Sequence, residues 1–272
     1  MTIDIAQYQG IGQFGHAYEY MLANDSHAPG SVDRVLTEKM VRLCPETAEY
    51  LYSGYTSISL AYVVKDRPEL EGQARDLVAG CRTADEKIEM IVAFTSGLAR
   101  AVEDESLEEM RIGGLEEEVI ARGSDWCTDV ARVASVLCQL AALPSRMVML
   151  FDLGNAYSGH EIVEAYRDGV WGAVDSSTAT VYRHGDGTPA STWDLMCSPE
   201  LIESYRRLDG RLPAYTRPEQ FRSAAVSNYF VWDWRDYDYA VSGVDEYYRS
   251  ILTMSEKGWP GGLRWLHGED AV

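Results

Sequence analysis

The sequence predicts an α+β fold in which helices pack on an antiparallel sheet, with a helical N-terminal layer. Three observations predict it. Apolar residues recur at helical spacing through much of the first half of the chain. An amphipathic helix closes at Pro144 and runs directly into a strand-like segment. Two further β-like runs are then separated by Asp168-Gly169, a pair that strongly favours a tight hairpin.

Taken in order, the stretch from Ser31 to Ile120 reads as mostly helical. Thr83-Ala-Asp-Glu86 is a capping-box pattern, and Ile88, Ile91, Phe94, Leu98 and Val102 follow it at three- and four-residue steps. Glu116, Glu117 and Glu118 form an acidic run that reads as a solvated helix face. Gly123 interrupts the pattern. Ser124 then caps a helix whose apolar positions are Val130, Val133, Leu137 and Leu140. Pro144 ends that helix, and Arg146 to Phe151 reads as a buried strand. A loop rich in Gly, Asn and Ser spans Leu153 to Gly159. The hairpin strands are Glu161 to Arg167 and Val170 to Asp175. Beyond Ser198 the periodicity is poor, but eight aromatics lie between Tyr229 and Tyr248. They read as a C-terminal segment packed on the body, or in part as a wall lining a substrate site, with Trp232 and Trp234 its candidates. The expected organisation is a helical N-terminal extension over 1–82, a core over 83–225 and an aromatic-rich segment over 226–272, together one compact unit.

Composition narrows the function. Hydrophobic residues make up 46% of the chain and charged residues 25%, which describes a globular protein with a substantial core. Forty-three Asp plus Glu against 24 Lys plus Arg leave a formal net charge of −19. Such a field repels phosphate backbones and anionic lipid, so neither nucleic acid nor a membrane is expected as a partner. No apolar run is long enough to cross a bilayer, and Met1 to Gln13 lacks the features of a signal peptide, so a cytoplasmic location is expected. The five cysteines, 44, 81, 127, 138 and 197, include no Cys-x-x-Cys pair, which points to free thiols and not to a disulfide framework or zinc knot.

One cysteine has a distinctive setting. Cys127 lies three residues after Ser124, in the first turn of a helix, where unpaired N–H groups and the positive helix end stabilise a thiolate. The hairpin supplies its partners by counting. With Asp168 and Gly169 at the turn, Arg167 pairs with Val170 and Ile162 with Asp175. His160, two residues before Ile162, points to the same face, so His160 and Asp175 are diagonal neighbours. A carboxylate there can hold the imidazole in one tautomer while the other ring nitrogen faces a thiol. Cys127, His160 and Asp175 are therefore the candidate nucleophile, base and orienting group. Cys138, eleven residues after Cys127, faces the core; Cys44, Cys81 and Cys197 also read as packing residues. Asp125 and Asp129 read as favourable first-turn charges, and Trp126 as a cover over the thiol or a packing residue. His16, His27, His184 and His267 have no comparable setting. No spacing supplies a fourth ligand for a metal at the three site residues, and no cofactor is expected.

The segments Gly123-Ser-Asp-Trp-Cys127-Thr-Asp-Val-Ala131, Leu143-Pro-Ser-Arg146, Gly159-His160-Glu-Ile-Val-Glu164-Ala-Tyr166 and Gly169-Val-Trp171-Gly-Ala-Val-Asp175 together resemble the transglutaminase-like core, a papain-like arrangement. The resemblance covers about Thr83 to Tyr182. It departs at Ile162, where the family commonly has an aromatic, and at Ala142, where it often has glycine. The family includes protein crosslinkers, cysteine peptidases, peptide N-glycanases and amide-forming enzymes. The resemblance implies acyl transfer through a thioester on Cys127, from a peptide, protein or small acyl donor to water or an amine. The rival expectation is a non-catalytic binding module that keeps the fold without the chemistry.

Overall fold

The computed structural model describes residues 3–8, 40–52, 67–99, 115–125, 127–150, 160–211, 221 and 224–227. After a 3-10 turn at Ile5–Tyr8, strand β1 (Met40–Leu43) leads into helix α1 (Pro45–Tyr52). Helices α2 (Pro68–Leu77), α3 (Ala84–Ser96), α4 (Glu116–Arg122) and α5 (Cys127–Leu140) follow. Strands β2 (Ser145–Leu150), β3 (His160–Arg167), β4 (Val170–Asp175) and β5 (Thr180–Val181) come next. Short helices α6 (Thr192–Cys197) and α7 (Glu200–Ser204) precede β6 (Ala224–Ser227). The strands form one antiparallel sheet in the order β1-β6-β2-β3-β4-β5. The fold is α+β, with helices against an antiparallel sheet. Among the described residues, no helix is long and apolar enough to cross a membrane.

Alternation along the strands sends side chains into two separate cores. Met147, Val163, Ala165, Val174 and Val181 pack with Leu70, Ile88, Ile91, Val119, Val133 and Leu137 from α2 to α5. Their neighbours Val148, Leu150, Ile162 and Ala173 pack on the other side with Leu51, Leu195, Ile202 and Phe221. Each fully buried side chain of this size contributes about 1.5–3 kcal/mol, so the central strands are fixed in register from both faces.

Local signals explain most elements. Thr83 accepts from the Glu86 amide at 3.1 Å and Glu86 accepts from the Thr83 amide at 3.2 Å, the expected capping box at the start of α3. The hairpin turn has positive φ at both Asp168 (53°) and Gly169 (87°), the geometry whose twist matches paired strands. Helix α5 ends in a Schellman motif: the amides of Ala142 and Leu143 donate to the carbonyls of Gln139 and Cys138 at 2.9 and 2.8 Å. Ala142 therefore takes a left-handed φ of 63° at the position that favours glycine.

Two expectations change. The N-terminal stretch is not purely helical, because Met40–Leu43 forms a strand at one edge of the sheet. Glu116 does not face solvent: it is buried against Arg132 at 2.6 Å and also pairs with Arg67. Helix α5 spans Cys127–Leu140, and the Ser124 hydroxyl donates to the Asp129 carboxylate in its first turn.

One buried ion pair ties the layers together. Arg146 and Glu164 stand opposite each other on β2 and β3. Arg146 Nε donates to Glu164 Oε2 at 2.7 Å and a second guanidinium nitrogen to the Leu51 carbonyl at 2.9 Å. Glu164 Oε1 accepts from the Tyr52 hydroxyl and the Thr192 amide at 2.8 and 2.7 Å. The guanidinium lies over the rings of Trp171 and Tyr52, 4.1 and 4.7 Å from their centroids. A buried pair is costly without further partners, and here Leu51 and Tyr52 of α1 and Thr192 of α6 supply them.

Candidate active site

The three candidate residues occupy element ends. Cys127 is the first residue of α5, His160 the first of β3, and Asp175 the last of β4. Helix α5 is buried almost all round from Asp129 to Gln139, so packing fixes where its first turn points. β2 and β4 flank His160's strand, with Leu150 opposite His160. The hairpin register runs from Arg167 opposite Val170 to Val163 opposite Val174, and its next step sets Ile162 beside Asp175.

That register brings the imidazole to the carboxylate. His160 Nε2 lies 2.9 Å from Asp175 Oδ2. The other carboxylate oxygen accepts from the amides of Ser177 and Thr178 at 3.0 and 3.1 Å. Asp175 is thus held on both oxygens and fully buried. With Nε2 committed to Asp175, Nδ1 is the ring nitrogen left for the thiol.

The electrostatics follow from these contacts. Burial by itself would raise the Cys127 thiol pKa. The hydrogen bond and positive charge of His160, with the Glu161 amide, outweigh it and pull the thiol below its ordinary range. Burial would lower His160, but the charge of Asp175, its hydrogen bond and the contact with Cys127 hold the imidazole well above its ordinary pKa. Asp175 is kept below the usual carboxylate range: burial opposes this, and the His160 charge, its hydrogen bond and Thr178 prevail. The arrangement favours imidazolium beside thiolate.

Cys138 and Cys197 contrast with it. All five are free, and Cys127 is only partly buried. Cys138, on the core side of the same helix, is fully buried and its thiol is pushed up to about 12 by burial. Cys197 is exposed and also raised, by residual burial and the Asp194 charge. His184 lies 3.4 Å from Asp194, both partly exposed.

Trp126, Trp232 and Trp234, the loop from Leu153 to Gly159 and the aromatics from Tyr229 to Tyr248 lie outside the described residues. Sequence reasoning missed Ser177 and Thr178. The signal was present in Ser176-Ser177-Thr178 directly after Asp175, because a carboxylate followed by such residues commonly folds back onto the next amides. Asp129 stands in the first turn of α5, as its position predicts, but the sequence did not show its burial. Asp129 is fully buried, bonded to Ser124 at 2.7 Å and to Arg132 at 3.3 Å.

No family model, curated protein or solved structure matches the chain.

Proposed function

We propose that this chain is a cysteine enzyme that transfers an acyl group through a thioester on Cys127, built on a transglutaminase-like, papain-like core. One observation carries the reading. A thiol at the start of α5 is pulled down in pKa by the hydrogen bond and charge of His160, whose Nε2 lies 2.9 Å from a buried carboxylate. Building such a line costs desolvation of three ionisable groups, and it supplies what nucleophilic catalysis requires.

The steps balance as follows. The Cys127 thiolate attacks the carbonyl carbon of an amide or thioester, and a C–S bond forms. The His160 imidazolium gives its proton to the leaving amine or thiol as the original acyl bond breaks. The now neutral imidazole takes a proton from water or an amine, which attacks the thioester carbon. The C–S bond breaks and the thiolate returns. Asp175 keeps the ring oriented and stabilises its charged form. The proposed oxyanion donor is the Cys127 amide, at a helix end where N–H groups lack intrahelical partners. Water as acceptor makes the enzyme a peptidase or amidase; an amine makes it an amide-forming acyltransferase. The donor is a peptide, a protein or a small acyl compound.

The test incubates the full chain with a panel of amide and thioester donors, with and without a primary amine, and reads protein and products by mass. An acyl adduct on Cys127, with free acid or amide released, is expected. Turnover that survives in Cys127→Ala, or a panel that yields neither adduct nor product, overturns the proposal.

A further inference from the structure

Resting on that acyl-transfer reading, we propose that Ser124 and Asp129 form a clamp that positions the Cys127 thiol against His160. Helix α4 ends at Arg122, and the nucleophile is the first residue of α5. Ser124 is buried, its amide donates to the Leu98 carbonyl at 2.8 Å, and it bridges Ala99 as a short parallel pair. The segment before the nucleophile is thereby anchored to the end of α3. The Ser124 hydroxyl donates to Asp129 Oδ2 at 2.7 Å. One bond therefore spans Cys127, from three residues before it to two residues after it.

The clamp has a buried foundation. Asp129 Oδ1 accepts from Arg132 at 3.3 Å, and Arg132 donates to Glu116 Oε1 of α4 at 2.6 Å. Arg67, just before α2, pairs with Glu116 as well. Ser124, Asp129, Arg132 and Glu116 are each at most 3% exposed. A helix start is ordinarily satisfied by an exposed Ser or Asp at small cost, whereas desolvating two carboxylates and a guanidinium is expensive. A buried network linked in this way restricts the backbone around the nucleophile. Arg132 also offsets the Asp129 charge, which would otherwise repel a thiolate two residues away. The groups that face Cys127 itself are His160, Asp175 and the Glu161 amide. The clamp acts on them only through position, so Ser124 and Asp129 are positioning residues.

The test measures the pH dependence of Cys127 alkylation by iodoacetamide in full-length wild type, Ser124→Ala, Ser124→Thr and Asp129→Asn, with unfolding midpoints alongside. Ser124→Ala should slow alkylation near pH 6 about tenfold, because a thiol displaced from His160 by one pKa unit loses tenfold in thiolate. Ser124→Thr keeps the hydroxyl and should restore the profile. Asp129→Asn should also slow the reaction. A purely electrostatic Asp129 gives the opposite sign, since removing its charge would favour the thiolate and speed alkylation. If Ser124→Ala does not fold, the sign of the Asp129→Asn effect decides. A wild-type profile in a folded Ser124→Ala, or faster alkylation in Asp129→Asn, overturns the clamp alone. A wild type with no acidic thiolate at Cys127 overturns the acyl-transfer reading and the clamp with it.

Discussion

Asp175 and His160 sit one diagonal step apart on a two-residue hairpin, with carboxylate oxygen and ring nitrogen 2.9 Å apart. The carboxylate's second oxygen is already occupied by two backbone amides, so the orienting group cannot swing away. In the proposed reaction its contribution is alignment and charge, not bond-making. Asp175→Asn, which keeps the shape and loses the charge, should reduce turnover on the order of 10- to 1000-fold. Cys127→Ala and His160→Ala should cost more, because they remove the nucleophile and the proton carrier. Kinetics of the three variants on any donor that is turned over checks the ranking. An Asp175→Asn enzyme that is folded and as inactive as Cys127→Ala would contradict a purely orienting role.

The pH dependence follows from the directions of the two shifts. The thiol is lowered, so thiolate accumulates at lower pH than for a free cysteine near about 8.5. The imidazole is raised, so the proton needed by the leaving group persists above the ordinary histidine range and is lost as pH rises through the raised value. In His160→Ala the hydrogen bond and charge vanish while burial remains. Thiolate formation at Cys127 should then move to higher pH, to or above the free-thiol range. Thiolate absorbance across a pH titration of the two proteins, with Cys127→Ala as the blank, measures this directly. An unchanged Cys127 titration in His160→Ala would contradict the assigned contact.

Ala142 offers a stability test independent of chemistry. It holds φ at 63° in the motif that ends α5, where a β-carbon is strained and glycine is not. Ala142→Gly should stabilise the protein by about 1 kcal/mol, the cost of a left-handed L-residue less glycine's extra chain entropy. Urea unfolding at equilibrium reads the change. Destabilisation would mean that the methyl group contributes packing beyond the strain it introduces.

Much of this architecture was legible wherever the signal was local. Asp168-Gly169 set the hairpin, the hairpin set the register, and the register set His160 beside Asp175. The Thr83 capping box and the apolar spacing of α5 worked for the same reason. What was not legible depended on distant partners. β1 is only Met40–Leu43, and its neighbour in the sheet, Ala224–Ser227, comes from far along the chain and is rich in small residues with weak strand preference. Neither alternates long enough to declare itself. Glu116 looked solvent-facing because charge runs commonly are. Its burial depends on Arg132 and Arg67, which only the packing of α2, α4 and α5 brings together. The pairing of Arg146 with Glu164 likewise needed the β2/β3 register, which the loop between those strands does not reveal.

The measurement that bears most directly on the central claim is limiting alkylation of the native full chain with iodoacetamide near pH 6, followed by peptide mapping. At that pH an ordinary thiol is almost wholly protonated, so the reagent reports thiolate character more than exposure. The account predicts that Cys127 is labelled first and well ahead of the other four, even though Cys197 is the more exposed thiol. Equal labelling, or labelling of Cys197 or Cys81 before Cys127, would contradict an imidazolium–thiolate pair at this site.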